Sequence, residues 1–231
     1  MSTADRVLEA LGEVYDPELD EPITDLRFVT SCDVSPDGDV EVRLRLPTPQ
    51  CAPNFAFLMV ADARAAIVGV PGVRRVHVVL EDHYTGREIN DAVDAEGGYE
   101  AAFPGEGTER VDALRSLFHR KALVARQWRV YERLIAAGER PGEVSSWVLA
   151  ELPDGDADVR RCDELRRALG LDVRPEAPAF VRPDGSPIAA QDLDRWRRSG
   201  RLINTSLELN GGMCRQLLQN RHGLAPEEVH A

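Results

Sequence analysis

Apolar and polar residues alternate twice in the first fifty positions. Val40, Val42, Leu44 and Leu46 are separated by Glu41, Arg43 and Arg45, a period of two that predicts a strand with one buried face. Leu26, Phe28, Thr30, Cys32 and Val34 repeat that period over residues 26–34. Between them Ser35-Pro36-Asp37-Gly38-Asp39 has turn chemistry, so the two runs read as an antiparallel hairpin. Helical spacing flanks the hairpin. Val7, Leu8, Leu11 and Val14 predict a helix over residues 4–15, stopped by Asp16-Pro17-Glu18 because the residue before a proline disfavours helix. Phe55, Leu58, Met59, Ala63, Ala66 and Ile67 form the apolar stripe of a second helix, which Gly69 and Pro71-Gly72 end. A third strand follows over residues 73–80, with Val76, Val78 and Leu80 on one face. Strand, helix and strand in this order make a crossover that leaves the last two strands parallel.

Residues 95–108, with Gly97-Gly98 and Pro104-Gly105-Glu106-Gly107, read as a linker. A long helix is expected over 109–137, with shorter ones near 144–152 and 158–169. A small hairpin or an irregular arm around Pro183-Asp184-Gly185 and a helix at 192–198 come next. Residues 202–209 read as a strand, Gly211-Gly212 as a break, and 215–221 as a last helix. The expected fold class is therefore α+β: an α/β-type N-terminal domain of order αββαβ over residues 1–94, the linker, and a second, mainly α-helical domain over 109–231.

Charge sharpens the division. The net charge of −12 sits entirely in the first 100 residues, which hold 20 Asp and Glu against 8 Arg, while the remainder is balanced. Such an acidic first part argues against nucleic-acid binding, which needs positive charge against phosphate. No run of 18 apolar residues predicts a membrane span, and residues 1–6 do not begin a secretory signal, so a cytoplasmic protein is expected. The sole lysine, Lys121, lies within a helix, so no phosphate-cradling loop of the Gly-rich, Lys-containing kind exists. Four widely spaced cysteines suit free thiols or ligands rather than disulfides.

Of these four, Cys32 and Cys162 lie on apolar faces and read as packing. Cys51 stands where the second strand gives way to the second helix, between Pro47, Pro49 and Pro53. The dipole and unpaired N–H groups of a helix N-terminus favour a thiolate, the form that binds metal. The crossover places the carboxyl ends of both parallel strands on one sheet edge, where open α/β sheets bind ligands. Asp82 and His83, just after the third strand, are thereby expected beside Cys51. Cys, His and carboxylate together suit iron or zinc. The acidic loop offers Asp16 and Glu18 as oxygen ligands, and Cys214, read as another cysteine at a helix start, is a candidate to complete the set from the second domain.

The succession Asp16-Pro17-Glu18, Ile23, Asp25-Leu26, the hairpin, Leu46-Pro47-Thr48-Pro49-Gln50-Cys51 and Pro71-Gly72-Val73 resembles the SufT/PaaD family of iron–sulfur assembly domains over residues 4–93. The resemblance implies an α/β domain that helps to mature iron–sulfur or iron-dependent proteins, with Cys51 as its key residue. Family members often carry threonine four residues before the cysteine, where this chain has Pro47 and then Thr48. The PaaD branch's C-terminal zinc motif and the fused ATPase of some relatives are absent from the sequence. The expectation is an accessory factor rather than an enzyme. It would hold iron or an iron–sulfur cluster transiently, or zinc in its place, and deliver it to a client apo-metalloprotein such as a multicomponent oxygenase. Self-association as a homodimer is left open. Two further readings remain: a metal-free interaction adaptor, and a thiol enzyme with Cys51 as nucleophile and His83 as base.

Overall fold

The computed structural model describes residues 1–223; the last part of the expected second domain, 224–231, lies outside them. The chain forms two compact units. Unit 1 comprises Met1–Asp112 together with the chain from Leu209 onward, and unit 2 comprises Ala113–Glu208.

Unit 1 is built on a three-stranded mixed sheet. Strands β1 (Val29–Val34) and β2 (Asp39–Arg45) are antiparallel, and β3 (Arg75–Glu81) runs parallel to β2, in the order β1-β2-β3. Helix α1 (Thr3–Leu11) precedes the sheet and α2 (Pro53–Val68) makes the crossover. A reciprocal Ser2–Asp5 capping box starts α1. Val40, Val42 and Leu44 point into the core with Val78 and Leu80, while Glu81 on the other face pairs with Arg43 and Arg45 at 2.9 Å each. Cys32 packs against this core.

The expected first strand starts three residues late, because Arg27 adopts the left-handed conformation (φ 60) and Phe28 N–H turns back to the Ile23 carbonyl. In α2, five consecutive residues from Ala56 to Val60 are buried, more than the one-sided stripe predicted. The cause lies just before and within the expected linker, where the chain forms packed structure. Helix α3 (Gly86–Asp94) and the short α4 (Tyr99–Ala102) bury Ile89, Val93, Tyr99 and Ala102, and Tyr99 meets Phe57 edge-on at 5.3 Å. Asn90 of α3 also caps the outer edge of β3, accepting from Leu80 N–H and donating to the Leu80 carbonyl.

The remaining helices are α5 (Thr108–Ala136), α6 (Pro141–Val144), α7 (Ala157–Ala168) and α8 (Leu193–His222), and the unit boundaries fall inside α5 and α8. In unit 2, Tyr131, Phe180 and Trp196 form a triangle of edge-to-face rings 5.5–5.9 Å apart. The irregular segment after α7 is held by side chains. Buried Arg166 donates to the carbonyls of Asp172, Pro178 and Ala179, and buried Gln127 bonds both backbone groups of Val181. Of the hairpin or irregular arm expected around residue 184, the structure has the arm, with a single bridge between Val181 and Pro187.

The strand expected over 202–209 and the break at Gly211-Gly212 are both corrected: one helix, α8, runs through them. The more buried positions Trp196, Gly200, Ile203, Leu207, Gly211, Cys214 and Leu218 recur every three or four residues, so a single helical face overrides the glycines' propensity cost of about 1 kcal/mol each.

Candidate functional site

The loop from Pro47 to Ala52 joins β2 to α2 and is fixed almost wholly through its carbonyls. Arg221 Nη1 donates to the Pro47 carbonyl at 2.9 Å, Tyr84 N–H to that of Pro49 at 3.1 Å, and His83 Nε2 to that of Cys51 at 2.8 Å. Cys51 N–H turns back to the Thr48 carbonyl, and the Thr48 hydroxyl lies 3.6 Å from the Cys51 sulfur. Threonine one place later than in the resembled pattern still reaches the thiol. Ala52 caps α2 without a side-chain hydrogen bond and Pro53 fills its first position. The half-buried Cys51 therefore stands on a rigid loop at the positive end of a 16-residue helix.

His83 and Asp82 lie on the same edge, brought there by the parallel pairing of β2 with β3. Asp82 adopts a left-handed conformation (φ 50) that reverses the chain after β3 and turns His83 back to the cysteine loop. A carbonyl only accepts, so His83 carries its proton on Nε2, and Nδ1 accepts from Thr85 N–H at 3.3 Å. Both ring nitrogens thus serve the backbone. The imidazole braces the Cys51 loop, and its Nε2 addresses the carbonyl of Cys51 rather than the thiol, an arrangement that does not support the general-base reading. Asp82 pairs with Arg221 at 2.8 Å.

Asp16 is buried, and its Oδ1 accepts from Glu18 N–H (2.8 Å) and Leu19 N–H (2.9 Å), closing the Asp-Pro-Glu turn. Burial, helped by the nearby charges of Glu18 and Glu21, pushes its carboxyl up to about 6 despite those two hydrogen bonds. Glu18 itself is exposed.

Cys214 requires a correction: it lies well inside α8 rather than at a helix start, so no helix N-terminus acts on it. It belongs to unit 1, packs against that unit's core, and lies within electrostatic range of Asp16, Cys51 and Glu18. Burial first, and then those acidic neighbours, push its thiol up to about 11.

Two arginines that sequence reasoning passed over place it there. Arg215 pairs with Glu21 at 2.5 Å, and Arg221 holds both Pro47 and Asp82. Gly211 permits the approach, since a Cβ there would come within 2.7 Å of Glu21 Oε1. Their only sequence signal is the helical spacing 211, 215, 218, 221/222, which the glycine pair obscures. Among the described residues no group of three or more His, Cys, Asp and Glu side chains is arranged to hold a metal ion. The six candidate ligands therefore do not form one closed set. The arrangement puts Cys214 within electrostatic range of Cys51 and of the buried Asp16 carboxyl, with His83 and Asp82 committed to holding the loop.

A model of the family described as iron–sulfur cluster assembly protein matches residues 4–78, all within unit 1. An uncharacterised protein of Methanocaldococcus jannaschii is 32% identical over 91 residues, which cover 39% of this chain and 94% of that protein. The chain belongs to the iron–sulfur cluster assembly protein family. Another relative is an Fe-S protein maturation auxiliary factor of Porphyromonas gingivalis, 32% identical over 80 residues, 35% of this chain and 74% of the factor. An iron-sulfur cluster carrier protein of Mycobacterium tuberculosis is 43% identical over 72 residues. That match covers 31% of this chain and only 18% of the carrier's own length. No solved structure matches the chain. The family match contains Cys51 and the Asp16 turn, while β3's last residues, His83 and the α8 segment of unit 1 lie outside it. No helix among the described residues is long and apolar enough to cross a membrane.

Proposed function

We propose that the protein is an accessory factor of iron–sulfur cluster or iron-centre assembly that binds its cargo through Cys51 and releases it to a client apoprotein. The observation that carries this reading is the mounting of Cys51. Three carbonyls of its loop are tied down while the thiol itself is left at the carboxyl edge of the parallel strand pair, at a helix N-terminus. A firmly held loop with its half-buried sulfur beside the Thr48 hydroxyl suits a ligand that must bind and let go. The names of the tuberculosis carrier and the Porphyromonas maturation factor point the same way. The absence of a closed set of three side-chain ligands among the described residues is consistent with transient holding, because a cargo with open coordination positions can exchange onto a client's own ligands. An oxygenase component is the client class proposed, and unit 2, which lies outside the family match, is the part proposed to recognise it.

The test is anaerobic reconstitution with ferrous iron and sulfide, read by metal analysis and by thiolate-to-iron absorption. Wild type takes up iron and Cys51→Ala loses it. Equal iron in both proteins defeats the reading. Transfer is then followed by mixing loaded protein with an apo-ferredoxin-type oxygenase component and watching the cluster spectrum appear on the acceptor.

A further inference from the structure

We infer that a cleft in unit 2 binds an acidic segment of the client, whose carboxylates seat on Arg198 and Arg201. The inference rests on the reading of unit 2 as the part that recognises the client, and it is independent of what Cys51 binds.

The cleft has a volume of about 410 Å³ and lies between Trp128 and Glu132 of α5 and Asp194, Arg197, Arg198 and Arg201 of α8. The four α8 residues stand at i, i+3, i+4 and i+7, which a helix presents on one face. Gly200 lets the two helices meet there, since a Cβ at that position would lie 2.6 Å from Trp128 Cβ. The partly buried Trp128 ring is thereby held beside the guanidinium groups.

The charges of the cleft do not balance. Arg197 is already paired, donating to Glu132 from Nε at 2.8 Å and from Nη2 at 3.1 Å. Arg198 and Arg201 are exposed, and neither makes a hydrogen bond or ion pair among the described residues. Asp194 occupies the first turn of α8, where the helix dipole favours a carboxylate. Three arginines thus face two acids, and the exposed Arg195, one turn from Arg198, adds to the excess.

The same unit shows a completed arginine cluster. Arg126, Arg129 and Arg133 of α5 close on Asp158 at 2.8, 3.2 and 2.6 Å. The cleft has the arginines without the central carboxylate, and an Asp or Glu of a partner supplies it. Trp128 and Leu202, the latter 72% exposed and one turn from Arg198, flank the arginines with apolar surface. That surface suits a protein segment in which acids are interspersed with apolar residues. Nucleic acid is the poorer fit, because a chain of net charge −12 repels a long polyanion.

The probe is a fluorescein-labelled octapeptide with three glutamates on each side of two leucines, followed by anisotropy with the full chain at low salt. Its glutamine counterpart and a labelled oligothymidylate of equal length are measured beside it. Arg198→Gln/Arg201→Gln is compared with Arg160→Gln/Arg174→Gln, which removes the same charge from exposed positions of unit 2 outside the cleft. The acidic peptide should bind wild type and the glutamine peptide should not. The cleft variant should weaken binding about tenfold, from two partly exposed ion pairs worth roughly threefold each, and the control should stay within about twofold. Added salt should weaken the wild-type complex. Equal loss in both variants means unspecific attraction and overturns the inference. It is equally overturned if the acidic peptide does not bind wild type, or if oligothymidylate binds more tightly through the same two arginines. Sedimentation that shows a wild-type dimer dissolved in the cleft variant would make the acidic unit 1 of a second copy the occupant and overturn it too. Iron loading separates the two readings. If Cys51→Ala loads iron like wild type while the peptide results hold, the Cys51 reading fails alone. If loading needs Cys51 while both arginine variants bind peptide alike, the cleft inference fails alone.

Discussion

Asp16→Asn offers a direct measure of what the Asp-Pro-Glu turn costs the folded protein. In the native state the carboxyl titrates at about 6 instead of its ordinary 3.8, chiefly because it is buried. The folded protein thus holds a proton between pH 4 and pH 6 that the unfolded chain has already released. Stability therefore falls as pH rises through that window and stays reduced above it. A difference of this size corresponds to about 3 kcal/mol at neutral pH. Asparagine keeps the Oδ1 acceptor for Glu18 and Leu19 N–H but never ionises, so the turn survives without the penalty. The variant is expected to match wild type at pH 3.5 and to exceed it by about 3 kcal/mol at pH 7.5. Urea unfolding at a series of pH values, read as midpoint shifts at constant slope, gives the comparison. Loss of an acidic neighbour should also let Cys214 react faster with iodoacetamide at pH 8–9. A variant less stable than wild type at pH 7.5, or a difference independent of pH, would refute the account of Asp16 as a desolvated acid.

Other consequences can be checked with simpler measurements. His83→Ala deletes the donor to the Cys51 carbonyl and should cost about 1 kcal/mol of stability, with faster amide exchange across residues 48–53. Gly212→Ala meets open space and should stabilise α8 by up to about 1 kcal/mol; a melting temperature lowered by this substitution would contradict a continuous helix there. Arg166→Met removes the donor to three carbonyls, of which that of Ala179 is buried, and should destabilise unit 2 by about 1–3 kcal/mol, visible as loss of near-UV signal from Trp196.

The sheet and the principal edge of the site were legible because both follow from short-range rules. A period of two gave β2, and a crossover by a helix fixed β3 parallel to it, so Cys51 and His83 had to end on one edge. Helices α3 and α4 were hidden because their polar sequence surrounds few apolar positions and carries the glycines of a linker, and only the exposed flank of α2 explains why they pack. In α8, local propensity at Gly211-Gly212 argued for a break, and the tertiary face formed by Trp196 through Leu218 overruled it. Arg221 contacts Pro47 across 174 positions, and no periodicity in one sequence encodes a pairing at that range.

The return of the chain to unit 1 has a consequence for synthesis. A ribosome makes the sheet, the cysteine loop and all of Ala113–Glu208 before it makes the segment that carries Leu218, Arg221 and Cys214. Throughout that interval Cys51 is present without its helical neighbour, and the family unit is a core with one wall missing. Shortening the chain to the stretch that resembles its relatives would make that interval permanent. A protein trimmed in this way reports on a nascent intermediate, with the Pro47 carbonyl lacking Arg221 and the acidic turn unopposed by Arg215, rather than on the finished protein.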